Sequence, residues 1–250
     1  MFKSVVFHGV LNERTGYGVH ASRFTEQLSK LIPLKVDGEG DVHVSLLDIV
    51  AAAHTTIRHP APSILYTVWE STEYPAEFMD KLKLYDQLWC PSEWQKACSI
   101  AQGIPEEFVK VVPEGVDPEI FFPEDERLDP GYEAPGDDLQ DQEFSFLHVG
   151  QWQPRKSTLE ICQSFLKAFP RNNNVRLYLS VDTLFPCDEY KSTEERLAGN
   201  GIFDERIIPV HFETREAYVR RLQTCNCYVQ CSRSEGWGLP GTEAMACGAV

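Results

Sequence analysis

The chain has 250 residues, 42% apolar and 24% charged, the composition of a soluble globular protein of one large or two ordinary domains. A formal net charge of −15 argues against a nucleic-acid binder, which needs Lys and Arg in excess, and against electrostatic docking on anionic lipid. No run approaches the roughly 18 apolar residues of a membrane span, and the start is too short and polar for a signal peptide, so a cytoplasmic location is expected.

In chain order, residues 4–10 are an apolar run bounded by Asn12, Gly16 and Gly18 and read as a buried strand. A helix is expected over about 19–31, then strands at 42–46, 63–68 and 87–90. Ser92 is placed to cap a helix over 93–102, and Gly103 to end it. A short strand over 109–112 stops at Pro113. Residues 124–143 hold nine acidic residues, one Arg, two Pro and two Gly, and read as a solvated linker. The expected domains are therefore 1–123 and 144–250.

The second half alternates more regularly. Strands are expected at 144–149, 175–181, 207–211 and 226–231, with helices at 157–169, 189–198, 215–224 and from Pro240 to Gly248. This order predicts a parallel, doubly wound α/β sheet. In the common strand order the first and fourth of these strands are neighbours, and ligands bind beyond their carboxyl ends.

The loops after those two strands are the most unusual in the chain. The first runs Gly150-Gln151-Trp152-Gln153-Pro154-Arg155-Lys156. Two cations at a helix entrance oppose the helix dipole, and a bound anion would remove the conflict; a solvated Arg-Lys pair is the plainer reading. The second runs from Ser232 to Glu243 and carries Gly236, Gly238, Gly241, Pro240, Glu235 and Glu243. A carboxylate there can accept hydrogen bonds from two hydroxyls of a sugar, or can simply complement a helix dipole. Gly16 and Gly18 alone would be a turn. Eight cysteines in a chain without a secretion signal read as thiols, and Cys225, Cys227 and Cys231 lack a usual zinc spacing.

Ser234 to Gly248 resembles the Glu-x7-Glu signature of glycosyltransferase family 4, and Gly150 to Lys156 resembles that family's diphosphate loop. Ser92-Glu93-Trp94, Val112 to Asp117 and Phe122-Pro123 look like its landmarks late in the first domain. The resemblance implies a GT-B fold, two Rossmann-like doubly wound domains facing a cleft. It also implies a retaining hexosyltransferase acting on a nucleoside-diphosphate sugar and a glycan, lipid or small-molecule acceptor. By the same resemblance Arg155 and Lys156 neutralise the leaving diphosphate, and Glu243 holds the ribose. Glu235, with the backbone from Gly236 through Gly238 to Leu239, faces the sugar. Gly16 and Gly18 approach the diphosphate from the first domain, and base recognition falls near His211 and Phe212. The chain contains no Asp-x-Asp, and no metal or cofactor is expected.

Three features depart from the family pattern. Gln151 stands where an Arg is common, and Arg155 would substitute for it. Trp69 stands before Glu70 where a His is common, which leaves Glu70 as a possible substrate contact or a surface cap. The sequence stops at Val250, where a fifth strand should begin, so the second domain is expected to be incomplete and the chain poorly stable and weakly active by itself. A non-catalytic nucleotide-sugar-binding module and a nucleotide-sugar epimerase are the alternatives.

Overall fold

The computed structural model describes residues 3–12, 15–56, 58–59, 62–123, 143–181 and 189–250. All of the expected linker except Glu143 lies outside them. The chain divides into two compact units: residues 1–115 with Glu235–Trp237, and residues 116–234 with 238–250.

The first unit contains β1 (Val5–His8), α1 (Gly16–Ser29), β2 (Leu34–Val36), β3 (Val42–Leu46), α2 (Ile49–His54), β4 (Ser63–Tyr66), α3 (Ala76–Lys81), β5 (Gln87–Cys90), α4 (Glu93–Ala101) and β6 (Val109–Val111). Its sheet order is β2-β1-β3-β4-β5-β6, and every pairing is parallel. Side chains alternate across this sheet as the strand period requires. Phe7, Val44 and Tyr66 pack on one face with Ala21 of α1, while Leu65, Leu88 and Val109 pack on the other with Ile49 and Phe78. Ser92 caps α4 by accepting from the Gln95 N–H at 3.2 Å, and Gly103 follows at φ +87°.

The second unit contains β7 (Phe144–Val149), α5 (Thr158–Ala168), β8 (Val175–Ser180), α6 (Thr193–Gly199), β9 (Ile207–Pro209), α7 (Arg215–Thr224), β10 (Cys227–Tyr228) and α8 (Leu239–Ala246). Its order is β10-β7-β8-β9, again parallel throughout. The first and fourth strands are thus neighbours, as expected. Along β8, Val175, Leu177 and Leu179 face a core shared with α5, and Tyr178 faces the core shared with α7 and α8. Arg221, fully buried, sets its guanidinium 4.4 Å from the Tyr178 ring centroid.

The structure trims several of the expected strands, keeps 42–46, 87–90 and 144–149, and adds three elements. The fourth strand of the second unit shrinks from 226–231 to Cys227–Tyr228, because the chain turns away into the glycine loop. β2, α2 and α3 are additions of three to six residues. Each is too short to repeat a hydrophobic period.

Candidate functional site

The geometry of the second unit begins at the carboxyl end of β7. After Gly150 the chain passes through a 3-10 turn, Pro154–Lys156, and enters α5 through Ser157 at φ +55°. A left-handed serine is costly, and such residues collect where function constrains the backbone. Ser157 makes no side-chain cap hydrogen bond, so the first-turn N–H groups of α5 receive no cap from it. A side chain at position 150 would lie 3.8–3.9 Å from the stem of Lys156, which passes over Gly150.

The second loop is tied directly to the first. The Arg155 guanidinium donates from Nη1 to the Ser234 carbonyl at 2.9 Å, and the Arg233 N–H donates to the Arg155 carbonyl at 2.8 Å. Arg233 also pairs with Glu160 of α5 at 2.7 Å. Beneath the loops lies His148, with no exposed surface. Its Nδ1 lies 2.8 Å from the Val229 carbonyl and its Nε2 3.1 Å from the Thr158 hydroxyl. The carbonyl can only accept, so the proton sits on Nδ1 and Thr158 donates to Nε2. The Ser232 hydroxyl is buried in the second loop and has no partner among the described residues. A buried orphan hydroxyl costs stability unless something completes it.

Gly238 and Gly241 leave room for one side chain. Gly238 has φ +85°, and added Cβ atoms at the two positions would meet the Gln230 amide at 3.0 and 2.6 Å. Gly238 and Leu239 open α8, and Pro240 is its second residue instead of its first. Glu243 lies inside the unit at 8% exposure and accepts from the Tyr218 hydroxyl at 2.7 Å. Burial, reinforced by this carboxylate, holds the Tyr218 phenol well above its usual pKa.

The structure therefore brings Arg155, Lys156, Gly238, Leu239 and Glu243 into one unit, with the first two tied to the loop that leads to the others. Glu235 and Gly236 group with the first unit. There, Gly16 and Gly18 are the first turn of α1, which starts three residues before the expected helix. Thr15 caps that helix, its hydroxyl accepting from the Gly18 N–H at 3.0 Å, and a side chain at 18 would strike Asn12. Tyr17 links this turn to the segment before Glu70: its hydroxyl donates to the Val68 carbonyl and accepts from the Val68 N–H at 3.2 Å. Glu114, in the expected late landmark of this domain, is buried against His20 of α1 at 3.2 Å.

Sequence reasoning missed His148, Gln230 and Tyr218, which pack or bond against the second loop and the helix it opens. The pairing of β7 with β10 brings His148 to Val229, and Tyr218 reaches Glu243 from α7 to α8. The seven described cysteines are free, and Cys187 lies outside the described residues. Burial raises the Cys162 and Cys225 thiols to about 12, which makes them inert.

Residues 136–250 match the sequence model of the family described as glycosyl transferases group 1. No curated protein matches the chain in sequence. Among solved structures, Anabaena HepE in complex with UDP and glucose is similar with a TM-score of 0.71 at 15% identity, covering 99% of this chain and 79% of that one. Sucrose-phosphate synthase from Thermosynechococcus elongatus gives 0.64 at 12% identity, covering 99% and 80%. The apo form of the lipopolysaccharide outer core galactosyltransferase WaaB gives 0.63 at 14% identity, covering 98% and 79%. No helix among the described residues is long and apolar enough to cross a membrane. The chain has the parallel-sheet α/β GT-B fold of these structures, and residues 136–250 match the model of the group 1 glycosyl transferases.

Proposed function

We propose that the chain is a retaining glycosyltransferase that moves a hexose from a nucleoside-diphosphate sugar to a glycan, lipid or small-molecule acceptor. The observation that carries this reading is the join between the two loops, where Arg155 bonds to the Ser234 carbonyl beside the uncapped start of α5. Two cations then stand at a helix entrance, a position where an anion is favoured.

The chemistry follows from that placement. The bond between the anomeric carbon and the β-phosphate oxygen breaks, and negative charge grows on the departing diphosphate. Arg155 and Lys156 stabilise that charge more in the transition state than in the ground state. Glu243 accepts from the ribose hydroxyls, and Tyr218 fixes its carboxylate for that task. Glu235 faces the transferred sugar. Side-chain cations take the role a divalent metal would otherwise fill at the diphosphate. HepE is known in complex with UDP and with UDP-glucose, so uridine is the first base to test.

Thermal shift with UDP and UDP-glucose tests the site. UDP should raise the melting temperature, and Lys156→Ala should weaken its affinity by roughly tenfold, the loss of one charge-assisted hydrogen bond. Glu243→Ala should weaken it less. If no nucleoside diphosphate shifts melting, or if both variants bind as the parent does, the site assignment fails. Transfer of labelled sugar to an acceptor separates a transferase from a binding module.

A further inference from the structure

Three histidines meet in the first unit, outside the loops described above. His8 ends β1, His43 lies in β3, and His59 lies between α2 and β4. Parallel pairing sets Val6 opposite His43 and His8 opposite Ser45. His8 shares a sheet face with Val6, two residues before it, and hence with His43 on the next strand. One donor nitrogen from each of the three rings lies within 4.8 Å of the other two.

The arrangement has the features of a ligand set. His8 Nδ1 lies 3.0 Å from the Asp37 carboxylate. A carboxylate only accepts, so His8 carries its proton on Nδ1 and presents the Nε2 lone pair inward. That Nε2 faces His43 Nδ1 at 2.8 Å. The two rings are nearly coplanar, at 4°, and His59 stacks over both with centroids at 4.2 and 4.3 Å. Orientation of a ligating imidazole by a carboxylate on its far nitrogen is the usual outer shell of a zinc site. His43 is 2% exposed, whereas His8 and His59 are only partly buried and leave a path for an ion.

We propose that His8, His43 and His59 bind a first-row divalent transition-metal cation of the zinc type, with Asp37 orienting His8. The cation takes the place of the proton between His8 Nε2 and His43 Nδ1. That proton moves to His43 Nε2, so neutral histidines release none on binding. In a tetrahedral site with bonds of about 2.0–2.1 Å the donors stand about 3.3 Å apart. His8 and His43 separate slightly to reach this, and His59, stacked nearly parallel to both, turns its ring out of the stack about its soft terminal torsion to aim a lone pair at the ion. Three imidazoles leave one coordination position for water. The bound ion would fasten the segment before β4 to the β1 and β3 strands. It has no part in the diphosphate chemistry proposed for the second unit.

Metal-stripped full-length chain dialysed against zinc tests the proposal, with metal counted by elemental analysis and melting followed in parallel. One zinc per chain and a raised melting temperature are expected. His59→Gln and His43→Gln should each weaken affinity at least tenfold, and Asp37→Asn by a smaller factor. Asn tolerates the left-handed φ of +60° at position 37, which keeps that variant folded. If His43→Gln does not fold, His59→Gln decides alone, because its side chain is only partly buried. Cobalt substitution should give a tetrahedral spectrum without a thiolate charge-transfer band. Failure to bind zinc stoichiometrically, unchanged affinity in His59→Gln, or a thiolate band that vanishes on cysteine alkylation would each overturn the proposal.

Discussion

The first helix of each unit follows the first long strand of its sheet, yet the two helices begin in opposite ways. α1 is closed by its own sequence: the Thr15 hydroxyl accepts from Gly18 N–H, and Asn12 accepts from Thr15 N–H at 3.0 Å. Arg14, which precedes this cap, lies outside the described residues. α5 has a left-handed serine at its N-cap, no side-chain cap, and Arg155 and Lys156 in the turn before it. A helix start that satisfies itself can be approached by a ligand but does not require one. A start that collects positive charge and leaves N–H groups without a cap is destabilised until an anion arrives. The same supersecondary unit thus closes on itself in one half, and in the other half it is the start we propose as an anion receptor.

That contrast can be broken by substitution. The largest expected effect is on turnover: Lys156→Ala or Arg155→Ala should lower kcat by about 10²–10³, as loss of one transition-state donor does elsewhere. Single-turnover transfer of labelled sugar measures it, and a loss confined to KM would move the cations out of the chemical step. Next, Thr15→Ala should cost about 1 kcal/mol of stability in denaturant unfolding, the worth of an N-cap, with nucleotide affinity unchanged. Smallest, Ser157→Gly should relieve the left-handed strain and stabilise the chain by at most ~1 kcal/mol. Turnover should fall with it if that strain holds Lys156 in place. A stabler and equally active variant would show the strain to be incidental.

Much of this was legible in sequence where burial repeats. β3, β5 and β7 fall on their expected ranges because each is an apolar run bounded by turn residues. α7 matches because Thr214 caps it and Cys225 ends it in extended backbone. β2 was not legible: its three residues are mostly exposed, and it is a strand only because Val5 to Phe7 offer it an edge. The two loops stood out by composition, and the doubly wound order placed them side by side. The bond from Arg155 to Ser234 spans 79 positions and leaves no trace in local pattern. Glu243 was visible as a carboxylate, but its Tyr218 partner was not. The three histidines stand 35 and 16 positions apart, so only strand pairing reveals them as neighbours.

His148 has a consequence for how the two loops can move. Its ring is fixed at both nitrogens, one to the chain leaving β10 and the other to the first turn of α5. An imidazole is a rigid plate, so it works as a gauge block whose width sets the gap between the two backbones. Thermal motion can carry the pair of loops together but cannot easily open or shut the space between them. A diphosphate would meet a seat whose span is decided before it arrives, and the entropy of forming that seat belongs to folding and not to binding.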